Sequence, residues 1–226
     1  MKTIGVLGGI TWHSAAEYYR LLNSEVGART DGAHAARCVL FSVDIGEIDP
    51  LMFAQRWDEA GALVAEDAKR VEAAGADVFL LACNTLHTVW DAIVGKLTIP
   101  TIHIGDAAAG ALTGHRRVAL LATPWTMELP FLREHLAARG FEVVLPADED
   151  RAEIGRTLFD ELSHGVVRDE TRQWYVDLIH RLDADVVLLA CTELGLLLRQ
   201  EHVDVPLVDT MAAHVSAAVD YALNDV

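Results

Sequence analysis

The residues best suited to chemistry sit at the ends of two near-copies, Asp77-Val-Phe-Leu-Leu-Ala-Cys83 and Asp185-Val-Val-Leu-Leu-Ala-Cys191, which agree at six of seven positions. Each copy is an apolar run of strand length that stops at a cysteine. Each is followed by a second short run introduced by X-Pro, Ile99-Pro100-Thr-Ile-His103 and Val205-Pro206-Leu-Val-Asp209, so the likeness extends around each cysteine as an internal repeat. A thiol at the C-terminal end of a buried strand and at the start of the next helix lies where open α/β sheets take ligands. The helix's free N–H groups and positive end favour the thiolate there. Asn84 and Thr85 are expected to cap a helix running from Leu86 to about Lys96.

Two such thiols on opposite sides of one carbon suit stereochemical inversion. One thiolate removes the α-proton and the opposite thiol returns a proton to the other face, with the sulfurs roughly 7 Å apart across the substrate. Charge that builds on the substrate carboxylate needs donors. Asn84, Thr85 and Thr192 are placed to supply them, as is the glycine turn Gly8-Gly9 with Ile10 and Thr11. A disulfide is not expected, because a pair spanning a substrate exceeds the Cα separation of about 4.4 to 6.8 Å that a disulfide needs. No metal is expected either, since Cys83 and His87 fall short of the three or four ligands of a zinc site. GxGxxG is absent, which argues against a dinucleotide. His87 and Glu193 follow the cysteine motifs and can tune a thiol, whereas His13, His103 and His164 are dispersed and read as surface or packing residues. Cys38 reads as structural in a buried strand, and Trp12 and Trp125 as packing near a seam.

The elements that must position these groups follow from the pattern. Lys2–Gly9 reads as a buried strand entering a glycine turn and then a helix through Tyr18 and Leu22, with a second strand at Cys38–Val43. A loop containing Pro50 precedes a helix from about Trp57 to Ala74, which ends at Gly75. A strand at Thr101–Ile104 and a helix at Asp106–Leu112 follow, and Arg117–Leu121 restarts the pattern of Thr3–Gly9. The expected fold is α/β, with two pseudo-symmetric Rossmann-like (flavodoxin-like) domains, mainly parallel sheets and the active site in the cleft between them. The first domain covers 1–107 plus 209–226 and the second 108–208.

The chain has 226 residues, 52% of them hydrophobic and 23% charged, enough to bury a sizeable core. Its 18 Lys and Arg against 34 Asp and Glu give a formal charge of −16, which disfavours nucleic acid and anionic lipid as partners. Neither a signal peptide nor a membrane span is expected, and three unpaired cysteines fit a cytoplasmic, reducing location.

Gly8-Gly9-Ile10 with Trp12 and Ser14, Ala82-Cys83-Asn84-Thr85-Leu86-His87, and Ala190-Cys191-Thr192-Glu193 closely resemble the three signature segments of the cofactor-independent aspartate/glutamate racemase family. Tyr18-Tyr19-Arg20, Ser42-Val43-Asp44 and Thr126-Met127-Glu128 look most like its broad-specificity amino-acid racemase and L-aspartate/glutamate racemase branch. The Cys-Thr-Glu segment differs from the Cys-Thr-His typical of glutamate racemases. The resemblance implies an amino-acid substrate, no cofactor and no pyridoxal phosphate, usually a homodimer, and proton transfer by Cys83 and Cys191. It also implies substrate contacts from Gly9, Ile10, Met52, Asn84, Thr85, Thr123, Thr126, Thr192 and Glu193. Met52, being apolar, cannot donate a hydrogen bond to a distal carboxylate, so an uncharged or longer side chain is also compatible. Hydantoin racemisation, maleate isomerisation and non-catalytic amino-acid sensing are the alternatives.

Overall fold

The computed structural model describes residues 1–224, and the last two positions of the expected range 209–226 lie outside the described residues. The chain forms two compact units, one of Met1–Ala107 with the chain from His214 onward, the other of Ala108–Ala213.

In the first unit the order is β1 (Ile4–Gly8), α1 (Trp12–Arg29), β2 (Cys38–Ser42), α2 (Ile45–Phe53), α3 (Trp57–Ala73), β3 (Val78–Leu81), a 3-10 turn at Thr85–Val89, α4 (Trp90–Val94) and the start of α5 (Ile104–Ala111). All three strands are parallel in the order β2-β1-β3, and Gly5 lies opposite both Val39 and Phe79. β1 and β3 are buried along their length because helices cover both faces of a parallel sheet. α3 buries Ala60, Val64, Ala68 and Val71, spaced as one helical face, against this sheet.

Several expectations for this unit are corrected. Pro50 lies inside helix α2, which Asp44 starts by accepting from the Gly46 N–H at 2.9 Å. The expected strand at Thr101–Ile104 is reduced to a single bridge from Thr101 to Phe79, since Ile104 already begins α5. The expected helix Leu86–Lys96 is split into the 3-10 turn and the short α4, and neither Asn84 nor Val89 caps them through its side chain. Cys38 is half-buried because β2 is the edge of its sheet, and burial raises its thiol pKa.

The second unit continues with β4 (Arg117–Ala122), α6 (Pro124–Glu128), α7 (Pro130–Ala137), β5 (Glu142–Val144), α8 (Asp148–Asp160), α9 (Asp169–Arg181), β6 (Val186–Ala190), α10 (Leu194–Leu197), β7 (Leu207–Asp209) and the first turn of α11 (Thr210–Leu223). Its parallel sheet has the order β5-β4-β6-β7. That order repeats the first unit's, with β7 standing where Thr101 makes its single bridge. The core is aliphatic, built on Val118–Ala122 and Val186–Ala190 and closed by Leu132, Leu136, Ile154, Leu178 and Ile179. Tyr175 is wholly buried in it and shares a 2.9 Å hydrogen bond with the Thr157 hydroxyl. Among the described residues no helix is long and apolar enough to cross a membrane.

Candidate active site

In the first unit the C-terminal ends of neighbouring strands β1 and β3 bring the glycine turn beside Cys83. Leu7 and Leu81 are register partners, and the Ala82 N–H donates to the Leu7 carbonyl at 2.8 Å. An added Cβ on Gly8 would lie 2.7 Å from the Ala15 Cβ, so glycine lets α1 pack directly on the strand end. Gly9 has φ +104°, and a Cβ there would meet the Val43 carbonyl oxygen at 2.5 Å. No other residue fits that turn without strain. Past it, Ile10 is half-buried and Thr11 shares a hydrogen bond with buried Ser14.

Cys83 is half-buried at the end of β3, followed by Asn84 and Thr85, both buried. His87 fixes this loop through its backbone. Its Nδ1 lies 2.8 Å from the Cys83 carbonyl and its Nε2 accepts the Ile104 N–H at 3.2 Å, so the Nδ1–H tautomer satisfies both. Burial, reinforced by neighbouring His103 and His214, holds the His87 pKa well below its ordinary value. His87 is therefore a neutral brace across the loop, with both ring nitrogens engaged away from the Cys83 sulfur.

The brace has its own support. His87 stacks on Trp90 at 4.7 Å between ring centroids and meets His103 edge-on at 4.7 Å. His214, wholly buried, accepts from the Tyr18 hydroxyl at Nδ1 (2.9 Å) and donates from Nε2 to the Ile102 carbonyl (2.8 Å). Burial lowers its pKa to about 4, so it too is neutral. Sequence reasoning missed His214, because no motif surrounds it and only the last helix's path carries it to residue 102.

The second unit repeats the arrangement with different chemistry. Ala122 and Ala190 are register partners, so the turn after β4 lies beside Cys191. Thr123 caps α6, accepting from the Thr126 N–H at 3.2 Å and donating to the Thr126 hydroxyl at 3.1 Å. Thr126 is fully buried and Thr123 half-buried, so Thr126 shapes the turn that Thr123 presents. The Cys191 thiol donates to Glu193 Oε2 at 3.0 Å, and the Thr192 hydroxyl donates to the same oxygen at 2.6 Å. Glu193 is only 8% exposed.

Two expectations about the site change with this geometry. The helices after the cysteines are single short turns, five residues at Thr85–Val89 and four at Leu194–Leu197, so a full helix dipole does not act on either sulfur. The Thr192 hydroxyl is directed at Glu193. Met52 is buried in α2, at 3% exposure.

A family model described as Asp/Glu/Hydantoin racemase matches residues 7–218. The chain is 23% identical over 165 residues to the broad specificity amino-acid racemase RacX of Bacillus subtilis (strain 168), a stretch that spans 72% of each protein. A provisionally assigned Asp/Glu racemase from Yersinia pestis superimposes with a TM-score of 0.92 at 38% identity, covering 99% of this chain and 100% of the other. An aspartate racemase homologue from Pyrococcus horikoshii OT3 gives a TM-score of 0.85 at 31% identity, covering 98% and 99%.

Proposed function

The chain belongs to the Asp/Glu/Hydantoin racemase family, and within it we propose an amino-acid racemase that inverts the α-carbon by two-base proton transfer between Cys83 and Cys191. The observation that carries this reading is the hydrogen bond from the Cys191 thiol to the buried Glu193 carboxylate, at the strand end that matches the one holding Cys83. A sulfur placed to hold and release a proton is what an acid/base pair needs.

The thiolate of one cysteine takes the α-hydrogen as a proton, forming S–H and leaving the electron pair on the α-carbon and its carboxylate. The thiol of the other gives its proton to the opposite face, forming the new C–H bond and becoming the thiolate. Nothing is oxidised, and the two cysteines end with exchanged protonation. Asn84, Thr85, the Gly9-Ile10 turn and Thr123 supply the donors for the carboxylate and amino group, and Met52 lines the side-chain end. The protein works in the cytoplasm as a homodimer without pyridoxal phosphate, on aspartate, glutamate or a broader set that includes uncharged amino acids.

The test is incubation in D₂O, without pyridoxal phosphate, with separate L- and D-amino acids, following α-proton loss and chirality together. The expected result is exchange accompanied by inversion, which also identifies the substrate. Exchange without inversion refutes the two-base transfer. No exchange with any amino acid refutes the racemase reading in favour of another substrate class or a sensor.

A further inference from the structure

The two cysteine loops are copies whose second positions after the cysteine differ: Thr85 stands where the other loop has Glu193. The consequence lies in unit 2, where one carboxylate oxygen accepts both the Cys191 thiol at 3.0 Å and the Thr192 hydroxyl at 2.6 Å. The matching loop sets an uncharged threonine there, and its histidine braces the Cys83 carbonyl instead. From this asymmetry we propose that Glu193 is a positioning residue that holds the Cys191 proton on sulfur, making Cys191 the proton donor of the resting enzyme and Cys83 its base.

The physical ground is direct. A carboxylate accepting an S–H stabilises the thiol, and ionising that sulfur would set a second negative charge 3.0 Å from a carboxylate that is itself buried. Thr192 locks the carboxylate oxygen in place, so the S–H stays aimed. When Cys191 gives its proton to the α-carbon, the thiolate it becomes faces the Glu193 carboxylate; after product release Cys191 takes a proton back from solvent and Cys83 gives to solvent the one it removed, which restores the resting form. The enantiomer whose α-hydrogen faces Cys83 therefore meets the resting form. Enantiomers have equal free energy, so kcat/KM must be the same in both directions, and the bias shows in how kcat and KM divide between them.

The assignment of roles rests on the two-base reading, whereas the coupling of Glu193 to Cys191 is measurable without any substrate. The wild-type chain, Glu193→Gln and Glu193→Asp are alkylated with iodoacetamide from pH 5 to 10, and each cysteine is followed separately by peptide mass spectrometry, with Cys38 as internal control. Alkylation tracks the thiolate fraction. Glu193→Gln is expected to accelerate Cys191 at pH 7 by about tenfold or more, the effect of removing an adjacent like charge, without moving Cys83 or Cys38. Glu193→Asp, which keeps the charge, stays near wild type. Racemisation by the same proteins is expected to show the kcat ratio between enantiomers moving towards one in Glu193→Gln. Superimposable Cys191 profiles for wild type and Glu193→Gln, or equal acceleration of all three cysteines, overturn the proposal. Should Glu193→Gln fail to fold, the wild-type chain alone decides: Cys191 must reach half-maximal alkylation at a higher pH than Cys83, and superimposable profiles for these two cysteines overturn the proposal as well. Selective acceleration in a protein that racemises no amino acid leaves the coupling intact and removes the racemase reading, so the two failures are distinct.

Discussion

The buried imidazoles of the first unit make its stability fall with acid, by an amount the structure sets. His214 is wholly buried, engaged at both nitrogens, and its pKa is lowered from its usual 6.5 to about 4. A group depressed on folding contributes its full stabilisation above the unfolded value. That contribution is lost as pH falls from about 6.5 towards 4, because only the unfolded chain takes the proton over this range. At about 1.4 kcal/mol per pH unit, His214 alone costs about 3 kcal/mol between pH 7 and pH 4. His87, shifted in the same direction by burial first and by its histidine neighbours second, adds to the loss. Carboxylates titrate over the same range, so the comparison must be with a variant. His214→Gln keeps an acceptor for Tyr18 and a donor for Ile102 without a titrating ring. Guanidinium unfolding at steps from pH 7.5 to 4 measures both proteins. The wild type is expected to lose about 3 kcal/mol more than His214→Gln across that interval. Parallel stability curves would refute the reasoning, since a solvated or charge-compensated His214 gives no difference.

Replacing either Cys83 or Cys191 by alanine is expected to lower racemisation by at least about 10²–10⁴-fold, the usual worth of a positioned acid or base, as read by circular dichroism of an enantiopure substrate. Gly9→Ala is expected to destabilise the first unit by about 1–3 kcal/mol through left-handed strain alone, and by more from the contact with Val43, measured as a lowered Tm. Leu120→Ala, in the fully buried centre of β4, should cost about 2–5 kcal/mol in guanidinium unfolding while the alkylation rates of Cys83 and Cys38 stay unchanged. His87→Leu removes the bonds to the Cys83 carbonyl and the Ile104 N–H, and is expected to raise Cys83 alkylation by loosening its loop while leaving Cys191 as it was.

Strand ends were the most legible part of this chain. β3 and β6 are uninterrupted apolar runs that stop at a cysteine, and burial on both faces of a parallel sheet writes that pattern directly into the sequence. The glycine turn was legible for a steric reason, since the φ of +104° and the closeness of Val43 leave room for no side chain. α2 was not, because Pro50 reads as a loop marker; six residues beyond its cap at Asp44, the proline lies inside a helix that the cap and the packing of Ile48 and Met52 maintain. The segment after Cys83 misled for the opposite reason. Its residues suit a helix, yet His87 turns back to the Cys83 carbonyl and Trp90 stacks on that ring, so the chain is drawn into a tight 3-10 turn. Contacts between distant residues, Tyr18 with His214 above all, leave no local trace.

The two units share strand order and register but brace their cysteines with different groups. Around Cys83 the brace is a neutral imidazole that binds the backbone carbonyl. Around Cys191 it is a carboxylate that binds the sulfur itself. Sheet geometry must be preserved if both thiols are to sit at equivalent strand ends, because each end is set by parallel register with a neighbour. The loops beyond those ends carry no such constraint, and their residues differ between the two units. A symmetric reaction needs two groups that hold opposite protonation at any instant, and two identical loops would leave that choice to chance. On the proposed two-base reading, a buried carboxylate beside the Cys191 sulfur, with Thr85 at the matching position of the other loop, would make that choice in advance.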